Sequence, residues 1–412
     1  MSDIIEKATK ILQQPVCDHC LGRQFGQLLS GFSNEERGRM IRSIAAMSID
    51  NEGALHSGMD MSNFHSVKFH SLDLEKHPEQ KACAICADIF LDLEKWTAKV
   101  AKAASGVEFS TFLVGTKLSF DLVEKEEALW ERVGIDCCEP LKAELNREIG
   151  KRVEKKTGAK FNSKNPEINI ILDFDSNRTV IEINPVFIYG EYQKLVRGIP
   201  QTRWPSGKYK TSVEQIIAKP FMAATGGKSH KLHGMGREDI DARCLGWRPF
   251  VLEILSPKNR SLDMKKLAKK IARQVRVRNM RPSSIAEVRS IKESRAEKTY
   301  RALVIASKNV AKSDLKKLSA LGSISQKTPQ RVLHRRADKF RKRNVKSVKS
   351  KYVSKNKFLL EIRGEAGLYI KELISGDSGR TDPSVSKILG VPCTCKELDV
   401  IAIHSQKKSH LP

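Results

Sequence analysis

The chain has 412 residues, a length that suggests two or three domains. Its 40% hydrophobic content supports a folded core and excludes wholesale disorder. A net charge of +26 favours polyanionic partners, of which nucleic acid is the commonest. No apolar run approaches ~18 residues, which argues against a membrane span, and the acidic start MSDIIEKATKILQQP disfavours a secretory signal, so we expect a cytoplasmic protein.

Residues 1–95 are predicted to form a small, mostly helical region that carries cysteines. Residues 33–36 (Ser-Asn-Glu-Glu) have the spacing of a capping box, which begins a helix. Met40, Ile41 and Ile44 then have the apolar spacing of one buried face. Because no secretory signal is apparent, the nine cysteines of the chain are expected to be reduced thiols, with metal binding favoured over disulfides.

Two Cys-x-x-Cys pairs, Cys17/Cys20 and Cys83/Cys86, predict a structural zinc site. Four thiolates at this spacing can close a tetrahedral shell, which leaves no position for water. The alternative is four unrelated buried thiols. His19 could replace one ligand, although a solvated side chain is the simpler expectation for it. Ordinary packing is expected for the other cysteines, which are Cys137, Cys138, Cys244, Cys393 and Cys395.

Residues 96–204 are predicted to form a compact α+β unit. The predicted elements are strands at 111–114 and 117–122 around a Gly-Thr turn, a helix at 140–157 that ends at Gly158, and strands at 168–174 and 179–187. The unit closes in the basic segment 190–204, GEYQKLVRGIPQTRW.

Residues 205–412 are predicted to form another α+β region, which begins in a linker at 205–210. Its predicted elements are strands at 248–255, 300–306, 358–363 and 398–403, a helix from Ser261 to about Gln274, and a helix over 369–375. The sequence GGKS at 226–229 does not make a phosphate-binding P-loop, because Met222 stands where that motif needs glycine.

The densest charge lies at 327–357, with thirteen lysines and arginines against one acid, Asp338. A charge run is usually a solvated face, but this one would repel itself unless a polyanion neutralised it, so we predict a phosphate-binding surface. The residues predicted to contact RNA are Arg203, Arg331, Arg335, Arg336, Arg341, Lys342 and Arg343.

Three short segments together could supply catalytic groups. The acidic segment 236–243 (GREDIDAR) would, alone, most often be a salt-bridged loop. The segments 298–300 (KTY) and 367–371 (GLYIK) add an aromatic ring and a cation to its carboxylates. A carboxylate, a phenol ring and a cation in one pocket form a plausible active site.

These segments resemble the motifs of pseudouridine synthases: GREDID resembles the catalytic aspartate segment, KTY the tyrosine block and GLYIKEL the Gly-x-Tyr-Ile-Arg block. With QKTPQRVLHRRADKFRKR, ELISGDSGRTDPSVSKILG, GEYQKLVRGIPQTRW and the cysteine pairs, the whole chain is similar to the archaeal tRNA pseudouridine synthase ten family, which acts on U54 and U55 of the tRNA T-arm. The resemblance implies an α+β protein with three parts. These are a helical zinc-binding region (1–95), a THUMP-like RNA-binding domain (96–204) and a pseudouridine synthase domain (205–412) on a mixed, mainly antiparallel sheet with flanking helices.

The resemblance also implies the residue roles. Asp239 would be the nucleophile that acts on a flipped-out uridine, with Lys371 as the nearby cation and Tyr300 stacked on the base. The other pocket residues implied are Tyr369, Ile370 and Leu398. Asp241 is a rival nucleophile, because the family's Glu-Asp-Val-Asp-Val-Arg reads Glu-Asp-Ile-Asp-Ala-Arg here and both carboxylates are kept.

The implied reaction is redox-neutral and adds no group, so no organic cofactor is expected beside structural zinc. The expected partner is tRNA, with no membrane and no obligate protein partner. One alternative is a non-catalytic tRNA-binding protein or chaperone on the same scaffold. Another is a different RNA-modifying enzyme, but the sequence has no Gly-rich loop for a methyl donor and no Ser-Gly-Gly-x-Asp-Ser loop for ATP.

Overall fold

A computed structural model describes residues 2–54, 58–72 and 77–404, and the chain divides into two compact units between Asn184 and Pro185. The boundary predicted at 204 therefore lies inside the second unit. The physical reason is that residues 186–194 form a strand of the second unit's sheet, whereas the hairpin at 168–183 belongs to the sheet of the first unit. None of the helices in the described ranges has both the length and the apolar character needed to cross a membrane.

The first unit combines helices with a small sheet. Its helices are α1 (Ser2–Ile11), α2 (Asp18–Gly22), α3 (Asn34–Glu52), α4 (Leu93–Ala103), α5 (Phe120–Val133) and α6 (Leu141–Thr157). Its strands are β1 (Thr111–Lys117), β2 (Lys160–Phe161), β3 (Ile168–Asp173) and β4 (Arg178–Ile183). The sheet order is β2-β1-β3-β4, with β1 parallel to both neighbours and β3 antiparallel to β4.

Helix α3 begins with the predicted capping box. The Ser33 hydroxyl accepts from the Glu36 amide, and the Glu36 carboxylate accepts from the Ser33 amide at 2.7 Å. The predicted buried face is only partly correct, since Ile41 is buried but Met40 and Ile44 are exposed. Residues 40 and 44 lie about 100° around the helix from the stripe that 41 and 45 share, so they cannot face the same core.

The strand predicted at 117–122 is wrong. Residues 111–117 form one strand with alternating burial, and Phe120 begins α5. The buried residues of α5, Leu122, Glu126 and Leu129, recur at helical spacing. The predicted helix that ends at Gly158 is confirmed: it spans 141–157, and Gly158 takes the left-handed conformation (φ +75°) typical of a helix C-terminus.

The second unit is built on a large sheet. Its strands are β5 (Val186–Lys194), β6 (Ser229–Gly234), β7 (Arg243–Leu255), β8 (Val275–Ser283), β9 (Glu297–Ala306), β10 (Ser323–Lys327), β11 (Phe340–Ser354), β12 (Lys357–Gly364), β13 (Thr381–Asp382) and β14 (Cys393–His404). Its helices are α7 (Val213–Thr225), α8 (Met264–Lys269), α9 (Ile285–Glu293), α10 (Ile370–Ser375) and α11 (Val385–Leu389). The strand order is β13-β10-β11-β12-β9-β14-β7-β5-β8, and β6 pairs with β7.

The sheet is mixed and mainly antiparallel, as expected. Only β14 and β7 pair in parallel among its described strands, with Asp399 opposite Arg243. The helix predicted from Ser261 to about Gln274 is shorter: α8 begins after Asp263, whose side chain accepts from the Lys266 amide, and ends at Lys269. It does not reach Gln274, whose carbonyl accepts from the Leu195 amide at 3.0 Å beside the pairing of Lys194 with Val275.

Candidate active site and cysteine cluster

A cavity of about 560 Å³ opens in the second unit at the N-terminal end of β7. It is bounded by the loop before β7 (235–242), the start of β9, the N-terminus of α10 and the middle of β14. The predicted pocket residues all line it: Asp239, Tyr300, Tyr369, Ile370, Lys371 and Leu398. These six residues, which are spread between positions 239 and 398 of the sequence, therefore line one cavity.

Asp239 lies between two cations. The Lys371 ammonium nitrogen is 3.3 Å from Asp239 Oδ2, and the Arg331 guanidinium donates to Oδ1 at 3.2 Å. The Asp239 side chain is 32% exposed, so water or a substrate can still reach it. The two cations therefore hold one carboxylate oxygen each and fix the orientation of the Asp239 side chain in the cavity.

Lys371 is shared with Asp241. Its ammonium donates to both oxygens of Asp241 at 2.8 Å. Partial burial, the largest single effect, would raise the pKa of Asp241, but the hydrogen bond and the charge of Lys371, with smaller contributions from the Asp241 backbone amide and Arg331, together lower the pKa below its ordinary value. In turn, burial would lower the pKa of Lys371, and its two carboxylates raise it. The lysine is therefore held as a cation at the cavity.

Tyr300 and Tyr369 present their rings from different elements. Burial raises the pKa of Tyr300, on β9, to about 12, so its phenol is neutral at physiological pH. Tyr369 precedes α10, and its hydroxyl accepts a hydrogen bond from Arg336 at 2.8 Å. The buried Gln326 amide holds the Tyr369 backbone by two hydrogen bonds of 2.9 Å.

Lys194 fixes the loop that carries Asp239, and the sequence interpretation missed it. This buried ammonium donates to the backbone carbonyls of Asp239 (3.0 Å), Ile240 (3.3 Å) and Ile199 (3.0 Å). In the sequence, the GEYQKL segment counted as basic charge and as part of the family resemblance, and Lys194 itself was given no role. No signal in the sequence links Lys194 to carbonyls 45 residues away, because such a hydrogen bond depends on the strand pairing.

Glu238, next to the candidate nucleophile, points the other way into the protein. The Tyr192 hydroxyl donates to its carboxylate at 3.0 Å, and the Arg248 Nε lies 3.1 Å from it. Lys194 Nζ is 3.7 Å from the same group, and all of these side chains are buried. A buried carboxylate surrounded in this way is held rigidly, and so is the backbone that it shares with Asp239.

The predicted RNA-binding residues occupy different environments. Arg331 lines the cavity, where it donates to Asp239 and also to Glu372 at 2.7 Å. Arg336 reaches the cavity as well, on Tyr369.

Arg341 donates to the Thr328 hydroxyl at 3.0 Å, Arg343 donates to the Lys342 carbonyl, and the Lys342 side chain is exposed. Arg203 lies at a separate groove beside α7, and Arg335 belongs to the turn of 3₁₀ helix at 330–335.

In the first unit, the predicted cysteine ligands converge. The sulfurs of Cys17, Cys20, Cys83 and Cys86 all lie within 4.8 Å of one another, and Cys17 Sγ is 3.6 Å from Cys86 Sγ. A tetrahedral shell with Zn–S bonds of about 2.3 Å has sulfur–sulfur edges of roughly 3.8 Å. The cluster fits a four-thiolate metal site.

Helix packing brings the first pair into place. Cys17 caps α2, its sulfur accepting from the Cys20 amide, and α2 packs closely on α3. A Cβ at Gly22 would come 1.8 Å from the Asn34 carbonyl, and one at Gly38 would come 1.9 Å from the Asp18 carbonyl. Both glycines are therefore required by the close approach of the helices.

His19 is not part of the cluster, and its expected solvated position is wrong. Its Nδ1 lies 2.8 Å from the buried Glu144 carboxylate, and its ring stacks on Phe90 with centroids 4.0 Å apart. Of the other cysteines, Cys138, Cys244 and Cys393 are buried, and Cys137 and Cys395 are partly exposed.

Comparison with known proteins agrees with this architecture. The model of the family "Pus10, C-terminal" matches residues 187–404, and that of "Pus10 THUMP domain, archaeal" matches 96–173. Curated relatives named tRNA pseudouridine synthase Pus10 align with nearly the whole chain. That of Methanothrix thermoacetophila is 39% identical (98% of this chain, 95% of the relative), that of Pyrococcus furiosus 38% (97% and 98%), and that of Methanothermobacter marburgensis 40% (97% and 99%).

Solved structures match more distantly. A chain of a Cbf5-Nop10-Gar1 complex is 19% identical with a TM-score of 0.32, over 51% of this chain and 47% of that one, which is too slight to carry an argument. The sequence relatives and the family models decide the matter: this chain belongs to the Pus10 family of tRNA pseudouridine synthases.

Proposed function

We propose that this chain isomerises uridine to pseudouridine at U54, U55 or both in the tRNA T-arm, with Asp239 as the nucleophile. Pseudouridine formation in tRNA is the activity named for the family to which it belongs. The observation that carries the residue assignment is Asp239 between Lys371 and Arg331, in one cavity with Tyr300.

The reaction breaks the bond between ribose C1′ and uracil N1, turns the base and joins C1′ to C5. A stacked uridine is out of reach, so the nucleotide must first leave the helix and enter the cavity. The Asp239 carboxylate would then form a transient covalent adduct with ribose or base. No redox change and no added group are involved, so the step requires no organic cofactor.

The cavity walls suit an uncharged planar base. Ile370 and Leu398 are buried and apolar, and the neutral Tyr300 ring is available for stacking, which is worth about 1–3 kcal/mol per base. The THUMP match and the basic segment at 327–357 support contacts with the phosphates of a folded tRNA. For an enzyme with a tRNA substrate, we propose a cytoplasmic location.

We further propose that the four-cysteine cluster holds a structural zinc ion. Cys17, Cys20, Cys83 and Cys86 would supply all four ligands, and the metal would join the N-terminal turn to the segment before α4. Because no ligand position is left for water or substrate, its contribution would be to folding stability.

Single-turnover assays on an unmodified tRNA transcript test the nucleophile. Carbodiimide mapping should find pseudouridine in the T-arm with the wild type, and Asp239→Ala should lower the rate by roughly 10⁴-fold or more. Asp241→Ala is the matched control, since it removes a carboxylate from the same lysine. It should lower the rate by about tenfold or less, which corresponds to roughly 1.4 kcal/mol.

Two results would contradict the proposal. Activity that survives Asp239→Ala and disappears in Asp241→Ala would move the nucleophile to Asp241. A folded wild-type protein that binds tRNA and forms no pseudouridine would point instead to a non-catalytic tRNA-binding role.

A further inference from the structure

Lys298 stands apart among the cations that line the cavity. Lys371 and Arg331 are occupied by carboxylates, Arg336 is bonded to a tyrosine, and Arg237 is exposed. Lys298 is 8% exposed, and its ammonium has one neighbouring acceptor, the Ala296 carbonyl at 3.4 Å. No carboxylate oxygen of the described residues forms an ion pair with it.

Burying such a group is unfavourable. An ammonium loses its hydration in the protein, and a nearby carboxylate normally compensates for that loss. Here burial lowers the pKa of Lys298 to about 8, with a further lowering from the fully buried Arg248 on β7. A lysine held in this condition at a cavity wall is characteristic of a functional group rather than a packing residue.

The amine also has room to reach a ligand. Gly236 has a left-handed backbone (φ +76°), and a Cβ at that position would come 3.3 Å from Lys298 Nζ. The glycine therefore keeps a side chain away from the amine. Lys298 and Tyr300 are two residues apart on β9, so both project from one face of the sheet into the cavity.

The isomerisation creates a negative charge on the uracil, and Lys298 is the buried cation of the cavity that forms no ion pair with a carboxylate of the described residues. When the C1′–N1 bond breaks, its electron pair moves to the uracil and spreads over N1, O2 and O4. Lys371 and Arg331 are already paired with Asp239. Rotation of uracil about its N3–C6 axis exchanges N1 with C5 and O2 with O4, so one fixed donor meets a carbonyl oxygen before and after the turn.

We infer that Lys298 is a second catalytic residue, whose ammonium donates a hydrogen bond to a carbonyl oxygen of the flipped uracil and stabilises the uracil anion. The inference rests on the proposed function of this cavity. Overall, the C1′–N1 electron pair leaves with the uracil, a C5 electron pair forms the C1′–C5 bond, the C5 proton passes to water and N1 takes a proton. Lys298 keeps its own proton throughout.

The test compares Lys298→Met and Lys298→Arg with the exposed control Lys308→Met in single-turnover assays, with tRNA affinity and melting temperature measured for each. Removing one donor from a developing anion typically costs 10²- to 10³-fold, so Lys298→Met should lose roughly that in rate. Its tRNA affinity should stay within about twofold. Lys298→Arg keeps a cation and should recover at least tenfold over Lys298→Met.

A pH profile separates this role from a structural one. Because the protonated amine is the active form, the wild-type rate should fall as pH rises through about 8, the pKa of Lys298. The Lys298→Arg rate should not fall there, since arginine keeps its proton. Other ionisable groups around the amine are Arg248 and Cys244 on β7 and Tyr300 on its own strand.

Three outcomes overturn the inference. Lys298→Met within threefold of the wild-type rate would remove Lys298 from the chemistry. Equal losses in folded Lys298→Met and Lys298→Arg would exclude a role for the positive charge. A wild type that forms no pseudouridine, with Asp239→Ala indistinguishable from it, would show that the proposed function itself had failed.

Discussion

Asp239 and Asp241 compete for one lysine, and their other contacts distinguish them. Asp241 is 70% exposed and takes both of its short hydrogen bonds from Lys371. Asp239 is more enclosed and has Arg331 as a second cation. The second cation and the lower exposure set Asp239 apart from Asp241, and they are the reason for proposing Asp239 rather than Asp241 as the nucleophile.

Also at the residue scale, each of the four clustered cysteines would supply one ligand to the proposed zinc site. We expect one zinc per purified chain to survive dialysis, and Cys83→Ser to lower that stoichiometry well below one and to lower the melting temperature. Elemental analysis by mass spectrometry measures the first effect and calorimetry the second. Cys138→Ser is the matched control, because Cys138 is buried in the same unit outside the cluster. Full zinc occupancy in Cys83→Ser would mean that the four thiols do not form the site.

At the scale of elements, strand β5 positions the loop that carries Asp239. It pairs with β7 and β8, and its last residue, Lys194, donates to the carbonyls of the loop before β7. The buried Glu238 fixes the same loop through Tyr192. The conformation of this loop therefore depends on β5, a strand that lies outside the GREDID motif of the loop.

We predict that Lys194→Met lowers the free energy of unfolding by about 2 kcal/mol or more, because it leaves buried carbonyls without their charged donor. With the loop less well held, kcat should fall while the KM for tRNA changes little. Denaturant titration and steady-state kinetics measure the two effects. Lys231→Met, at an exposed position on β6, should be neutral in both. Unchanged kcat in Lys194→Met would show that the loop is held without Lys194.

At the scale of the whole molecule, residues 327–357 supply +12 of the net charge of +26, with thirteen lysines and arginines against one acid. Strand β11 is long, and most of its side chains are exposed, including Lys342, Lys349 and Lys351. Arg331 belongs to the same charge run but is directed into the cavity. The run therefore has two environments, one in the cavity beside Asp239 and one on an exposed surface.

We predict that changing Lys342, Lys349, Lys351 and Lys355 to Gln flattens the salt dependence of tRNA binding. Each lost phosphate contact removes roughly 0.7–0.9 from the slope of log K against log salt, so four should remove about 3. Filter binding across a salt series measures it. Lys231, Lys258, Lys265 and Lys292, which are exposed on other elements and loops of the second unit, provide a four-residue control. If both sets change the slope equally, β11 has no special part in binding.

Local sequence determined the features that depend on neighbours in the chain. The Ser33 capping box and the helix end at Gly158 form as predicted, because both rest on hydrogen bonds within a few residues. The segments GREDID, KTY and GLYIKEL identified the residues that line the cavity, since a motif records residue types and spacing. The two Cys-x-x-Cys pairs predicted a four-sulfur cluster in the same way.

Only the tertiary structure decided which partner each residue has. The strand at 186–194 joins the second sheet, Lys194 reaches the Asp239 carbonyl and Arg331 reaches the Asp239 carboxylate. Lys298 is buried with no carboxylate partner in the part of the chain that the structure describes. The contacts of Lys194 and Arg331 with Asp239 join residues that are 45 and 92 positions apart in the sequence. Such contacts depend on the order of the strands and on which groups are shielded from water. Periodicity and propensity describe one segment at a time, whereas charge pairing and burial exist only once the sheet has assembled.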